Sequence, residues 1–163
     1  GGSHLSASIL INVYNGDLGI ALSDTYTTEV FFRSFNKKFA KLFDGVRHDS
    51  GDPFKFTDKV IAHYKSMGID PMSKVIVFSD GLNTELAAEL KEYCVGKIKC
   101  SFGIGTHFTN DLGIKALNIV IKITAVFING EWVDAVKLSD NVGKNTGAPE
   151  EVGLCKRVFK IAA

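Results

Sequence analysis

Short apolar runs alternate with stretches of helical periodicity along the 163-residue chain. Runs of about five apolar residues predict buried strands, whereas apolar residues three and four positions apart predict one face of an amphipathic helix. The strand-like runs are residues 18–22, 45–47, 74–78, 97–102 and 118–123. The helical patterns are residues 29–43, 57–67, 84–94 and 150–160. This alternation is typical of an α/β fold with a mostly parallel sheet.

Asn129-Gly130 separates two further apolar segments, residues 126–128 and 132–138. Asn and Gly tolerate the positive φ angles of a two-residue hairpin turn, so this pair predicts a β-hairpin near the end of the chain. The whole pattern predicts an α/β fold: part of a TIM-like (β/α) barrel, with mostly parallel strands and a C-terminal hairpin. Four or five parallel strands are indicated and a closed barrel needs eight. We therefore expect free sheet edges that pair with another copy or with a missing half.

Residues 1–11 differ from the rest of the chain. Gly1, Gly2, Ser3 and His4 open it without an initiator methionine and without hydrophobic patterning, so we interpret residues 1–11 as an added or poorly matching leader. Residues 12–163 are short enough for a single domain, which we interpret as the C-terminal half of the barrel.

Composition narrows the classes of function. The formal net charge is +1, which argues against nucleic-acid binding as the main activity. The three cysteines have no CxxC spacing, so we expect free thiols and a cytoplasmic protein rather than zinc or a disulfide framework. No apolar run reaches the roughly 18 residues of a transmembrane helix, so no membrane partner is expected.

Small and polar residues follow four of the expected strands. Parallel strands end at the same edge of a sheet, and this is where α/β folds bind ligands. The four segments therefore predict one shared site. They are Ser23-Asp24-Thr25, His48-Asp49-Ser50-Gly51, Ser79-Asp80-Gly81 and Gly103-Ile104-Gly105-Thr106.

Two interpretations fit the glycine-rich segment 103–106. Gly103 and Gly105 would let backbone N–H groups approach phosphate oxygens, and Thr106 adds a hydroxyl. A Rossmann fingerprint would have glycine at position 108, where Phe108 stands, and no P-loop Gly-Lys follows. An ordinary βα turn explains the glycines equally well, so both readings stay open on this segment alone.

Residues 47–52 concentrate charge at a strand end. Arg47 is a planar anion binder, and Asp49 and Asp52 could accept ribose hydroxyls or join a magnesium shell. Ser50 and Gly51 could offer N–H groups. The alternative is a surface ion pair followed by a helix cap, but dense polar clusters at strand ends favour a ligand site.

The remaining candidates are weaker. Asp80 with Gly81 suits a diol and a closely approaching phosphate. A phosphatase of the haloacid dehalogenase type would need a second aspartate at position 82, where Leu82 stands. Asp24 could accept a hydroxyl or cap a helix, and Tyr26 could stack on a flat ring.

Three other polar side chains are assigned more loosely. His63 lies in a helical pattern and is expected to be solvated. Lys137 and Asp140 follow the hairpin and could belong either to a site or to the surface.

These segments, in this order, resemble the C-terminal part of nicotinate phosphoribosyltransferase, a type II phosphoribosyltransferase. Together RHDSGDP and SFGIGT are highly specific. The stretches that carry the resemblance are LGIALSDTYTT (18–28), GVRHDSGDP (45–53), HYKSMGIDP (63–71), KVIVFSDGLN (74–83), CSFGIGTHFTND (100–111), LNIVIKI (117–123) and VKLSD (136–140), with GK at 143–144.

The resemblance implies an enzyme that joins nicotinate to 5-phosphoribosyl pyrophosphate, the entry step of NAD salvage. In the family ATP hydrolysis drives the reaction through a phosphorylated histidine, and Mg²⁺ bridges the pyrophosphate, with Asp52 a possible contact. The 5′-phosphate would lie on the glycine segments. The residues expected to be catalytic are Arg47, Asp49 and Asp24; those expected to bind substrate are Tyr26, Ser50, Asp80, Gly81, Gly103, Gly105 and Thr106.

The chain departs from the family in what it lacks. None of its four histidines matches the ATP-coupling motif, and the family's N-terminal domain has no counterpart here. We therefore expect a donor-binding fragment that is inactive alone and forms homo-oligomers. Two alternatives are a catalytically silent fragment that binds a phosphosugar or self-associates, and an enzyme like quinolinate phosphoribosyltransferase, which needs no ATP.

Overall fold

A four-stranded parallel sheet forms the centre of the fold. The computed structural model describes residues 12–15, 17, 19–110, 112–117, 119–140 and 143–161. The strands lie side by side in chain order: β1 (Ile20–Leu22), β2 (Gly45–His48), β3 (Val75–Phe78) and β4 (Lys99–Phe102). Each pair is parallel, as helical crossovers between neighbouring strands require.

Helices connect the strands, and a hairpin follows them. This arrangement confirms the α/β fold, its parallel strands and its C-terminal hairpin. The remaining elements are α1 (Thr28–Ser34), α2 (Lys37–Leu42), α3 (Pro53–Ser66), a 3₁₀ turn (Pro71–Ser73), α4 (Thr84–Cys94), α5 (Thr106–Thr109), β5 (Ala125–Ile128), β6 (Glu131–Asp134) and α6 (Pro149–Phe159).

The turn between β5 and β6 has the geometry that its sequence predicts. Asn129 and Gly130 both adopt positive φ angles, 53° and 91°. Ile128 pairs with Glu131 in the antiparallel ladder that the turn closes.

The single helix predicted over residues 29–43 is wrong. The chain leaves the helix at Phe35, and Asn36 starts α2 by accepting hydrogen bonds from the backbone N–H groups of Lys38 (3.0 Å) and Phe39 (3.3 Å). This cap satisfies N–H groups that a helix start would leave unpaired. The change of direction also lets Phe35, Phe39 and Phe43 all reach the core, each at most 3% exposed.

The strand predicted over residues 118–123 is also wrong for the part that can be described. Residue 118 lies outside the described residues, as do residue 18 of the first predicted strand and residues 1–11. Residues 119–124 have no regular secondary structure, and Ile121 is 93% exposed. A strand needs a neighbour for its backbone N–H and C=O groups, and no described strand pairs with this segment.

Strand register places one row of side chains in the core. Ala21 pairs with Val46, Val46 with Ile76, and Ile76 with Cys100. Ala21, Val46 and Ile76 are at most 8% exposed. They belong to one hydrophobic cluster with side chains from α2, α3 and α4, among them Phe39, Val60 and Leu90. The helices therefore cover this face of the sheet.

The next register row points to the opposite face, because side chains alternate along a strand. It consists of Leu22, Arg47, Val77 and Ser101. Leu22 is 39% exposed, and both Arg47 and Ser101 are exposed. Within the described part of the chain this face stays open to solvent. Of the described helices, none has both the length and the apolar character needed to cross a membrane.

Candidate functional site

The carboxyl ends of the four strands meet at one edge of the sheet. His48 pairs with Phe78, and Phe78 pairs with Phe102. The segments that begin at Asp49, Ser79 and Gly103 therefore leave the sheet at the same level. The strand ends thus lie at one edge of the sheet, as the sequence predicts.

Arg47 joins the ends of two strands. Its Nη2 donates a hydrogen bond to Asp49 Oδ1 (2.9 Å), and its Nε donates to Ser79 Oγ (2.8 Å). Ser79 Oγ also lies 2.9 Å from Asp49 Oδ1. The Arg47 side chain is 46% exposed, so the guanidinium keeps room for an external anion. Ser79 belongs to one of the four segments expected at the site, but it is not among the residues expected to be catalytic or to bind substrate.

A cavity of about 470 Å³ lies between the ends of β3 and β4. Gly81 has a φ of 59°, a left-handed conformation that favours glycine, and a Cβ built on Gly105 would meet no atom within 4 Å. The walls therefore include bare backbone that can approach an anion. The lining residues are Ser79, Gly81, Leu82, Asn83, Gly103, Gly105, Thr106, His107 and Asn110.

Asp24 lies buried at the end of β1, 1% exposed. Its Oδ2 accepts hydrogen bonds from Ser50 Oγ and Lys137 Nζ, both at 3.2 Å. Its Oδ1 has no hydrogen-bond partner among the described residues. Thr27 is the residue that caps α1, so the helix-cap alternative for Asp24 is wrong. Asp24 presents one free acceptor at the strand end, which is costly to bury without a ligand or water.

Two of the expected site residues make contacts within the protein. The ring of Tyr26 packs against Phe159 of α6, with centroids 4.6 Å apart. Asp52 caps α3 and accepts hydrogen bonds from the backbone N–H groups of Phe54 (2.9 Å) and Lys55 (3.1 Å). The capping alternative for Asp52 thus describes its contacts.

Asp80 and His63 are two further residues that the sequence singles out. Asp80 follows Ser79, but it does not line the cavity beside Gly81. His63, expected to be solvated, is only partly exposed: its Nε2 lies 2.7 Å from the carbonyl oxygen of Phe35, the residue that follows α1. Among the described residues no group of three or more His, Cys, Asp or Glu side chains could hold a metal ion.

His48 supports the loop after β2 from inside the core. It is 2% exposed and lies between the rings of Phe56 and Phe78, with centroid distances of 5.0 and 5.9 Å. Its Nε2 lies 3.2 Å from the Gly51 carbonyl oxygen, which assigns the proton to Nε2. The ring therefore fixes the turn that carries Asp49 and Ser50.

Burial lowers the pKa of His48, and the charges of Asp80, Asp49 and Asp24 oppose this only in part. The unfolded chain takes up a proton near pH 6.5, whereas the folded chain takes it up at lower pH. Stability contributed by neutral His48 is thus present above pH 6.5 and is lost as pH falls toward the folded pKa.

We expect the free energy of unfolding to fall between pH 7 and pH 5 by at most about 1.4 kcal/mol per pH unit from this one group. Urea unfolding at several pH values measures it. His48→Gln should flatten the pH dependence. Phe56→Leu, which loosens packing against the same ring, should lower stability at every pH while keeping the slope. Equal slopes in the wild type and His48→Gln would contradict the assignment.

The fold and the strand-end site together define a class. A parallel sheet whose strand ends carry an ion-paired arginine, two carboxylates and a glycine-lined cavity is typical of α/β domains, which bind their ligands at the carboxyl ends of the strands.

A sequence model of the nicotinate phosphoribosyltransferase (NAPRTase) family matches residues 2–163, and the chain belongs to this family. The match includes residues 2–11, most of the stretch interpreted above as a leader.

Relatives give the same result. The chain is 54% identical over 153 residues to nicotinate phosphoribosyltransferase of Chromohalobacter salexigens, covering 93% of this chain and 39% of the relative. It is 57% identical over 141 residues to that of Methanosarcina mazei, covering 84% and 34%. The crystal structure of nicotinate phosphoribosyltransferase from Porphyromonas gingivalis superposes with a TM-score of 0.92 at 48% identity, over 97% of this chain and 42% of that one. The chain thus spans about two fifths of these relatives.

Proposed function

We propose that this chain is the donor-binding part of a nicotinate phosphoribosyltransferase. The complete enzyme would join nicotinate to 5-phosphoribosyl pyrophosphate, with ATP hydrolysis, and yield nicotinate mononucleotide and pyrophosphate. Family membership supports the reaction. The observation that carries the assignment to this part is the glycine-lined cavity beside the Arg47–Asp49–Ser79 cluster.

The cavity suits the 5′-phosphate. Gly81, Gly103 and Gly105 leave backbone exposed on two adjacent strand ends, and Thr106 adds a hydroxyl. The helix α4 starts at its edge, and a helix N-terminus favours an anion. Asn83 caps that helix through Leu86 N (2.8 Å), which keeps the loop in place.

The Arg47 cluster suits the ribose and the leaving pyrophosphate. When the glycosidic bond at ribose C1 breaks, pyrophosphate leaves with the electron pair and positive charge develops on the ring. A carboxylate near C1 stabilises that charge, and a guanidinium stabilises the leaving anion. Asp24 Oδ1 and Asp49 can supply the first interaction, and Arg47 can supply the second. Nicotinate then forms its bond to C1.

Magnesium fits this donor set. Mg²⁺ prefers oxygen ligands, keeps several waters and binds through substrate phosphates and one or two carboxylates. The unpaired, buried Asp24 Oδ1 and the carboxylate of Asp49 lie at the strand ends where such waters would need acceptors. Bound there, the ion would neutralise charge on the pyrophosphate.

The parallel sheet is proposed as part of a (β/α) barrel in a cytoplasmic enzyme. Its open face would be the barrel interior, which a closed barrel fills with side chains. Leu22 on that face and Ile121 in the irregular segment are 39% and 93% exposed. Apolar surface of this kind marks an interface, so further polypeptide or a second copy in a homo-oligomer would cover it.

Calorimetric titration tests the donor assignment. With Mg²⁺ present, 5-phosphoribosyl pyrophosphate should bind this chain weakly and saturably, and EDTA should weaken binding at least tenfold. Ribose 5-phosphate, which lacks the pyrophosphate, should bind without magnesium dependence. Adding nicotinate and ATP should give no product. Absence of saturable binding by either sugar phosphate would refute the donor site, and normal turnover would refute the view that the chain is one part of the catalytic unit.

A further inference from the structure

The segment that leaves the hairpin is bound to the ends of β1 and β2. We call residues 137–140 the exit segment. The backbone N–H of Leu138 donates to the Thr25 carbonyl oxygen (2.9 Å), and Leu138 itself is 1% exposed. The backbone N–H of Lys137 donates to the Thr146 carbonyl oxygen (3.0 Å), and the Thr146 N–H donates to the Lys137 carbonyl oxygen (2.8 Å). The chain therefore folds back after the exit segment. The exit segment is therefore anchored on both sides.

Asp140 links both strand ends through its carboxylate. Oδ1 accepts a hydrogen bond from the Thr28 backbone N–H (2.9 Å), and Oδ2 accepts from the Thr28 hydroxyl. Ser50 Oγ lies 3.4 Å from the same Oδ2 and 3.2 Å from Asp24 Oδ2. Ser50 is 4% exposed, so it lies between two carboxylates inside the protein.

Lys137 supplies the positive charge that this cluster needs. Its Nζ lies 3.2 Å from Asp24 Oδ2, and the Asp24 side chain is 2% exposed against 34% for Lys137. A buried carboxylate without a cation is strongly unfavourable. Since Ser50 and Lys137 both bind Oδ2, the carboxylate is held with Oδ1 as its free acceptor.

We propose that Lys137 and Asp140 are positioning residues of the donor site. Lys137 orients Asp24, and Asp140 fixes Ser50 and the start of α1 relative to the end of β1. This inference rests on the proposed function, because it is the donor that Asp24 and the Ser50 loop would contact. Along the chain, Lys137 lies 113 positions from Asp24, and Asp140 lies 112 positions from Thr28.

The first measurement needs no ligand. In Asp140→Ala the Thr28 N–H loses its acceptor, and its hydrogen exchange, followed by NMR, should become at least tenfold faster. Asp140→Asn keeps one acceptor oxygen and should lie closer to the wild type. Unchanged exchange at Thr28 in Asp140→Ala would overturn the role of Asp140.

The second measurement is the affinity for magnesium 5-phosphoribosyl pyrophosphate, taken well below each variant's melting temperature so that global stability does not enter. Lys137→Met and Asp140→Ala should each bind at least fivefold more weakly. Lys137→Arg should restore most of the affinity by keeping the cation beside Asp24. Lys144→Met, in the same region of the chain, is the matched control and should bind as the wild type does.

The two measurements separate two failures. If the wild type binds no donor, the proposed function fails, and exchange at Thr28 alone then decides whether the exit segment holds the strand ends. If the wild type binds and Lys137→Met binds equally well, the positioning role is wrong while the donor site stands.

Discussion

Gly105→Leu should reduce the affinity for 5-phosphoribosyl pyrophosphate at least a hundredfold while leaving the fold intact. A Cβ on Gly105 meets no atom within 4 Å, so the added side chain has space to enter without displacing protein atoms. That space is the cavity between β3 and β4. An isobutyl group there would occupy the proposed phosphate position and cover the backbone N–H groups, leaving a dianion without its donors.

Calorimetry with magnesium 5-phosphoribosyl pyrophosphate measures this effect, and thermal unfolding checks the fold. Gly153→Leu is the matched control. It adds the same side chain on α6, where the nearest atom to a Cβ is the Arg157 guanidinium at 3.6 Å, and it should leave affinity unchanged. Wild-type affinity in Gly105→Leu would show that the donor phosphate binds elsewhere.

Gly45→Ala should abolish cooperative folding. A Cβ on Gly45 would lie 1.9 Å from the Val75 carbonyl oxygen and 2.7 Å from Val75 Cγ1. Gly45 and Val75 are paired at the start of β2 and β3, so relief requires the two central strands to separate. Domains are stable by only about 5–15 kcal/mol, and forcing backbone apart in the sheet would remove most of that.

Circular dichroism during urea unfolding measures the loss. Gly19→Ala is the control, because its Cβ would meet the Asp44 carboxylate, Oδ2 at 2.1 Å, and that side chain can rotate away. We expect Gly19→Ala to keep a sigmoidal transition and Gly45→Ala to lose it. A normal transition in Gly45→Ala would contradict the close packing of β2 on β3.

Local pattern was enough to predict most of the sheet. Apolar runs flanked by glycine and aspartate predicted β1 to β4, because a buried strand needs apolar side chains and its end needs polar ones. The same reasoning placed Asp49, Gly81 and Gly103 at one edge, since parallel strands share a direction.

Contacts between distant residues could not be predicted in the same way. The Arg47–Ser79 hydrogen bond depends on the register of β2 against β3, and the Lys137–Asp24 pair joins residues 113 positions apart. The sequence alone does not decide whether Lys137 belongs to the site or to the surface, because no neighbouring residue specifies its partner.

The two wrong secondary-structure predictions also have physical causes. Residues 29–43 keep a helical apolar pattern through Asn36, but its side chain stabilises a new helix start more than a continued helix. Residues 118–123 are strongly apolar, yet a strand forms only against a partner, and the described residues offer none.

The most direct test is to map donor binding residue by residue with amide chemical shifts in the ¹⁵N-labelled chain. We predict saturable, magnesium-dependent shifts at Gly81, at Gly103–Thr106 and at Arg47–Ser50, all with one dissociation constant. Shifts confined to another surface, or separate constants for the β2 and β4 ends, would mean that the strand ends do not bind one phosphosugar.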